Sequence, residues 1–119
     1  MIDYAEMTKG EDYYQIAFLV ENPKILAIGV KMNQINPSAY MNGYNWDVFF
    51  NYFLEKVDPD ILTEMDSDPE AGLYTAYFPV TRENRLRARK LLETITQLIE
   101  HEEELYRIIR EEGDLIEWE

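Results

Sequence analysis

Cysteine is absent from this 119-residue chain, which excludes disulfides, thiolate chemistry and cysteine-bound zinc. His101 is the only histidine, with no second histidine or thiolate to complete a transition-metal site. As a general base it would need an orienting group and a pocket. Its sequence neighbours are glutamates, so a solvated helix-end position is the simpler expectation. Glycine is sparse and scattered, at 10, 29, 43, 72 and 113. No phosphate-cradling loop exists, and each glycine is explicable as a turn, bulge or cap. No serine stands in the strand–turn–helix frame of a hydrolase nucleophile. No apolar run approaches the ~20 residues needed to span a bilayer. Met1–Glu6 has neither a basic region nor an apolar core, so no signal peptide is expected and cytoplasmic residence is the default.

Positive charge is also in short supply. Eleven bases face 24 acids, a net charge of −13. Such a surface repels nucleic acid and anionic membrane and attracts basic partners; it also aids solubility. The charges come in blocks. Residues 55–70 hold Glu55, Asp58, Asp60, Glu64, Asp66, Asp68 and Glu70 against Lys56 alone. Residues 82–90 hold four arginines and Lys90 against Glu83, and acids return from Glu100 onward.

What is present is a globular composition. Hydrophobic residues make up 46%, which rules out general disorder. With no repeat and no low-complexity linker, residues 1–119 read as a single domain with one modest core. Nine tyrosines and five phenylalanines supply rings that suit both core edges and binding surfaces.

The N-terminal third reads as strands. Tyr14, Ile16, Phe18 and Val20 alternate with Tyr13, Gln15, Ala17 and Leu19. Ile2–Met7 reads as an edge strand before the Lys9–Asp12 turn. Leu26, Ile28, Val30 and Met32 continue an apolar face, with Gly29 marking a bulge or a close approach. Residues 33–42 read as a loop containing Pro37.

A helix then opens with Asn45 as N-cap, carrying Trp46, Phe49, Phe50, Phe53, Leu54 and Val57 as an apolar stripe. Asp58-Pro59 caps a short helix bearing Ile61, Leu62 and Met65. Asp66–Gly72 reads as a turn and Leu73–Val80 as a strand. Thr81 caps a helix whose stripe is Ala88, Leu91, Leu92, Ile95, Leu98 and Ile99. A break near His101 precedes a last helix ending before Gly113, and Leu115, Ile116 and Trp118 pin the tail. The fold class is α+β: an antiparallel sheet of about four strands packed against three to four helices.

Asp66, Asp68 and Glu70 alternate as calcium-loop ligands do. The loop then fails, because its sixth position is Ala71 and its twelfth Tyr77 where glycine and a bidentate carboxylate are required. Trp46 and its phenylalanines have the spacing of a core-facing helix, which favours core over a ligand pocket. Asn42-Gly43 ahead of the helix and Gly72 ahead of the strand are expected to supply positive φ. No cofactor or metal is implied.

Two segments carry more. Asn42-Gly43-Tyr44-Asn45-Trp46 leads into an aromatic helix, and Asp68-Pro69-Glu70-Ala71-Gly72 leads into an aromatic strand. In that order and separation they make the chain resemble the immunity protein 51 family of bacterial polymorphic toxin systems, mainly over residues 42–78. The motif positions are Asn42, Gly43, Trp46, Pro69 and Gly72. The resemblance implies a non-enzymatic α+β protein that binds a secreted toxin encoded beside it. A toxin acting on nucleic acid is expected to be basic, and an acidic inhibitor would be steered to it. The candidate interface is Asp58, Asp60, Glu64, Asp66, Asp68 and Glu70, with Tyr40 and Tyr44 as anchors; Glu102, Glu103 and Glu104 form a second candidate. Two other classes stay open: an acidic adaptor domain with no toxin partner, and a small-molecule enzyme, which a deep polar pocket with convergent carboxylates would mark.

Overall fold

Two alternating segments build the centre of the sheet in the computed structural model, which describes residues 2–119. Strand β1 (Ala5–Lys9) pairs antiparallel with β2 (Tyr13–Phe18), and β2 pairs antiparallel with β4 (Tyr74–Pro79). A two-residue strand β3 (Asp66–Ser67) pairs with β4, giving the order β1-β2-β4-β3. Side chains alternate across a strand. Tyr14, Ile16 and Phe18 of β2 and Tyr74, Ala76 and Phe78 of β4 therefore share the buried face. Tyr13, Gln15 and Tyr77 share the other.

Four helices complete the architecture: α1 (Pro23–Ile35), α2 (Gly43–Val57), α3 (Arg82–Glu100) and α4 (Glu102–Glu112). Helix α3 lies across β1, β2 and β4, α2 packs on β4, and α4 sits against α1 and α3. Between them lies one core. Trp46 is fully buried, its ring 5.0 Å from Phe18 and 5.4 Å from Phe50, centroid to centroid. Phe50 in turn meets Tyr74 at 5.1 Å, edge to face. Such pairs add about 1 kcal/mol each beyond area burial. The α+β expectation holds, and so does the reading of Trp46, Phe49 and Phe50 as core.

The segment around Leu26–Met32 departs from the strand expected of it; it is helix α1. Asn22 caps it, its Oδ1 accepting from the Lys24 amide at 2.9 Å, with Pro23 in the first turn. The buried residues are Ile25, Ile28, Gly29 and Met32, a helical spacing. Leu26 and Val30, half of the apparent period-two face, point to solvent. Gly29 marks a close approach: a Cβ there would sit 3.1 Å from Met41 Cβ. The loop consequently begins only at Asn36.

Smaller corrections concern caps and turns. The N-cap of α2 is Asn42, whose Oδ1 accepts from the Asn45 amide at 3.0 Å. Asn45 lies within the helix and is buried. Its Nδ2 donates to the Tyr40 carbonyl and its Oδ1 accepts from the Glu119 amide, both at 2.7 Å. Asp58 precedes a 3₁₀ turn (Pro59–Leu62), but its side chain makes no capping bond, and Met65 falls beyond that turn. The turn expected over Asp66–Gly72 contains β3. Neither Gly43 nor Gly72 has positive φ; among the described residues only Glu64 does, at 59°. Thr81 caps α3 as expected, and helix α4 starts after a break at His101. Ile116 and Trp118 pack on the core, whereas Leu115 is exposed.

Three tyrosines recur in one arrangement at the seams. Tyr4 donates to Glu100 at 2.8 Å with Lys24 over its ring. Tyr52 donates to Glu112 at 2.6 Å with Lys56 over its ring. Tyr106 donates to Glu102 at 3.3 Å with Lys31 over its ring. Each joins a phenol, a carboxylate and an ammonium, and two of the three close an ion pair, Lys24–Glu100 and Lys56–Glu112. Lys24 first, then the Tyr4 hydroxyl, holds Glu100 below the usual carboxylate range; Lys56 and then Tyr52 do the same for Glu112. Burial, then Glu102, pushes Tyr106 up to about 12; burial, then Glu100, raises Tyr4.

Depressed carboxylates stabilise the fold above their ordinary pKa of 4.5, and that contribution disappears as pH falls through their lower folded values. Raised phenols work the other way. Their contribution is complete below the ordinary value of 10.0 and is lost as pH rises from there through the folded values, about 12 for Tyr106. Urea midpoints measured against pH should therefore fall at both ends, with phenolate absorbance lagging until unfolding on the alkaline side. A midpoint flat across the acid range would remove the carboxylates from this account. A second expectation concerns Tyr74, whose buried hydroxyl has no hydrogen-bond partner among the described residues. Tyr74→Phe should raise stability by about 1 kcal/mol in urea melts; a loss of that size would mean the hydroxyl is satisfied.

Candidate functional site

The two sequence motifs meet in space. The Gly43 amide at the start of α2 donates to the Ala71 carbonyl at 2.8 Å. Ala71-Gly72 is the tip of the β3–β4 hairpin, closed by Glu70 and Leu73, with Glu70 N donating to Leu73 O at 2.7 Å. The hairpin is stiffened below its tip, where Asp68 N donates to Thr75 O at 2.8 Å and Thr75 Oγ1 donates to Asp68 O at 2.9 Å. A Cβ at Gly43 would lie 1.8 Å from the Glu70 carbonyl oxygen. Glycine is required there by backbone approach, not by φ. At Gly72 a Cβ would lie 2.8 Å from Glu21 Cδ, the end of a flexible side chain.

Beside this junction runs an open apolar groove of about 360 Å³, between α1 and the hairpin tip. Leu26, Val30, Tyr40, Met41 and the Ala71-Gly72 turn line it, and Glu21 stands at its edge. Tyr40 is 68% exposed; Tyr44, the second residue of α2, is also exposed. Asp47, next along the motif, is half-buried against β3. Burial pushes its carboxyl up, a Ser67 hydrogen bond opposes that, and the Glu119 charge adds to it.

The predicted acids separate into groups. Asp60 and Glu64 converge on Arg87 of α3, with Nε and Nη2 3.3 Å from the Asp60 carboxylate and Nη1 3.9 Å from Glu64 Oε1. Asp58 is partly buried at the end of α2. Asp66 and Asp68 extend along the sheet edge, and Glu70 sits at the hairpin tip beside Gly43. Among the described residues Asp58, Asp66, Asp68 and Glu70 have no ion-pair partner within 4.0 Å. In the second acidic group Glu104 pairs with Arg107 and Glu102 accepts from Tyr106, while Glu103 is exposed. Among the described residues no cluster of three or more histidines and carboxylates could hold a metal ion, and no helix is long and apolar enough to cross a membrane.

The family model for immunity protein 51 matches residues 6–114. The chain belongs to the immunity protein 51 family. The match extends from the first strand to the end of α4, well past the two motif segments. No curated protein and no solved structure matches the chain. Membership in the immunity protein 51 family points to toxin immunity, a role discharged by binding.

Two parts of this surface escaped the sequence reading. The groove wall of Leu26 and Val30 was hidden by the strand assignment, although Asn22-Pro23 as a helix start and the Ile25/Ile28/Met32 spacing could have exposed it. The withdrawal of Asp60 and Glu64 onto Arg87 had no local signal, since 27 residues separate Asp60 from its partner.

The junction makes a direct expectation. Gly43→Ala should cost about 3 kcal/mol in urea unfolding, because backbone on both sides must move. Gly10→Ala, where the nearest atom to a Cβ is 3.4 Å away, should cost far less. Equal losses would mean the α2–hairpin contact is not tight.

Proposed function

We propose that this protein neutralises a secreted toxin domain by occupying its surface, and that the toxin is basic and of the nuclease type. Family membership supports the immunity role. The observation that carries the basic partner is the pairing state of the acids within a net charge of −13. Asp60 and Glu64 are already shared with Arg87, whereas Asp66, Asp68 and Glu70 form an exposed edge with no cation paired to it among the described residues. That edge offers its charge outward, where it steers a basic partner and competes with the phosphate backbone for the same basic groups. Tyr40 and Tyr44 flank the hairpin tip and would supply ring anchors, with Leu26 and Val30 beside them. The protein acts in the cytoplasm of the producing cell and turns over no substrate.

Co-expression with the product of the adjacent gene should give a complex that co-purifies, and should restore growth to cells expressing that product. Replacing Asp66, Asp68 and Glu70 by Asn, Asn and Gln should slow association roughly tenfold at low salt and flatten its salt dependence. Unchanged association with an unchanged salt slope would remove this edge from the interface.

A further inference from the structure

We infer that the open end of the sheet's outer face docks the basic partner, with Tyr13 and Tyr77 receiving an arginine side chain from it. The inference rests on the toxin-binding reading above and names the chemistry of the contact.

The strand register defines the face. Glu6 and Thr8 of β1, Tyr13 and Gln15 of β2, Tyr77 of β4 and Asp66 of β3 all project away from the helices. Asp66, Tyr77, Gln15 and Thr8 stand in one cross-strand row. The only base in the four strands, Lys9, is paired with Tyr14 and so belongs to the opposite side. Glu11 and Asp12 in the β1–β2 turn border the same face, beside a hollow of about 400 Å³ that Tyr13, Tyr77 and Lys9 also line. The strand face is thus acidic and aromatic, with Lys9 at the rim of the hollow, its register position turned to the other side.

The protein's own seams show what such a setting accepts. Tyr4, Tyr52 and Tyr106 each combine a phenol, a carboxylate and a lysine ammonium 5.5–5.7 Å from the ring centre. Tyr13 and Tyr77 have the carboxylates nearby and, among the described residues, no lysine or arginine over either ring. They pack edge to face, with centroids 6.1 Å apart and planes at 78°. Tyr13 is 49% exposed. Their hydroxyls make no hydrogen bond among the described residues. The face offers the rings and carboxylates of the internal clasps with neither the phenol–carboxylate bond nor the cation formed. The occupant therefore supplies the cation and leaves the hydroxyls free to accept from it or donate to a carboxylate. Arginine fits better than lysine, because a planar guanidinium can lie against a ring while its N–H groups reach Asp66 or Asp12. A phosphate backbone or a second copy of this acidic chain would be repelled from the same face.

The test is calorimetric titration of the toxin domain encoded by the adjacent gene into wild type and two sheet-face variants. The first is Tyr13→Ala with Tyr77→Ala. The second is Gln15→Arg, which places a guanidinium on the face and removes no ring. Both should weaken binding about thirtyfold or more, the loss typical of an interface anchor. Urea midpoints establish that each variant is folded, and Gln15→Arg keeps the test open if the double variant is not. Wild-type affinity in either folded variant overturns the sheet-face inference while leaving the toxin-binding reading intact. Failure of wild type to bind removes that reading and this inference with it. Wild type that dimerises alone, and is made monomeric by Gln15→Arg, overturns the inference in favour of self-association.

Discussion

The backbone of α2 begins against the carbonyl of Glu70, at a separation that leaves no room for a side chain on Gly43. The Gly43 amide, one of the unpaired donors at any helix start, is satisfied there by Ala71 of the hairpin. This contact sets the position of the helix relative to β4, and with it the direction in which Trp46 enters the core. Trp46 then meets Phe18 and Phe50, which link both central strands to the helix. Asn42 and Asn45 finish the junction by capping the helix and tying it to Tyr40 and to Glu119. The two family motifs are therefore one structural device, split in sequence and joined in space. Its outward side presents the groove and the hairpin tip.

Around that junction the many acids do two kinds of work. Glu100, Glu112, Asp60 and Glu64 hold elements together through Lys24, Lys56 and Arg87. These partly exposed pairs specify which surfaces meet more than they add free energy. The remaining acids of the sheet edge and the β1–β2 turn have no such partner among the described residues and leave a predominantly negative surface. A fold whose bases are mostly spent internally or gathered on α3 has a built-in asymmetry. Such a molecule is suited to recognising positive charge on something else.

Legibility followed the range of the forces involved. Thr81 capping α3, the break at His101 and the Trp46 stripe were readable because caps and helical spacing act over a single turn. Helix α1 is hard to see in the sequence because Leu26, Ile28, Val30 and Met32 alternate by chance, and its capping signal at Asn22-Pro23 also has the composition of a turn. Gly43 was correctly singled out, but for φ; the need is steric and comes from a carbonyl 27 residues away. The acidic run looked like one surface in sequence. Arg87 divides it, and no local pattern announces a partner on another helix.

Composition and patterning alone determined that this chain is an acidic α+β protein with an aromatic core, with no thiol chemistry and no recognisable catalytic signature. They did so because burial, capping and net charge are properties of short segments or of the whole chain. Only the tertiary structure decided which acids are free, which tyrosines lack a cation and that two distant motifs form one junction. Those are matters of what lies opposite what, and a side chain's partner is set by how the elements pack.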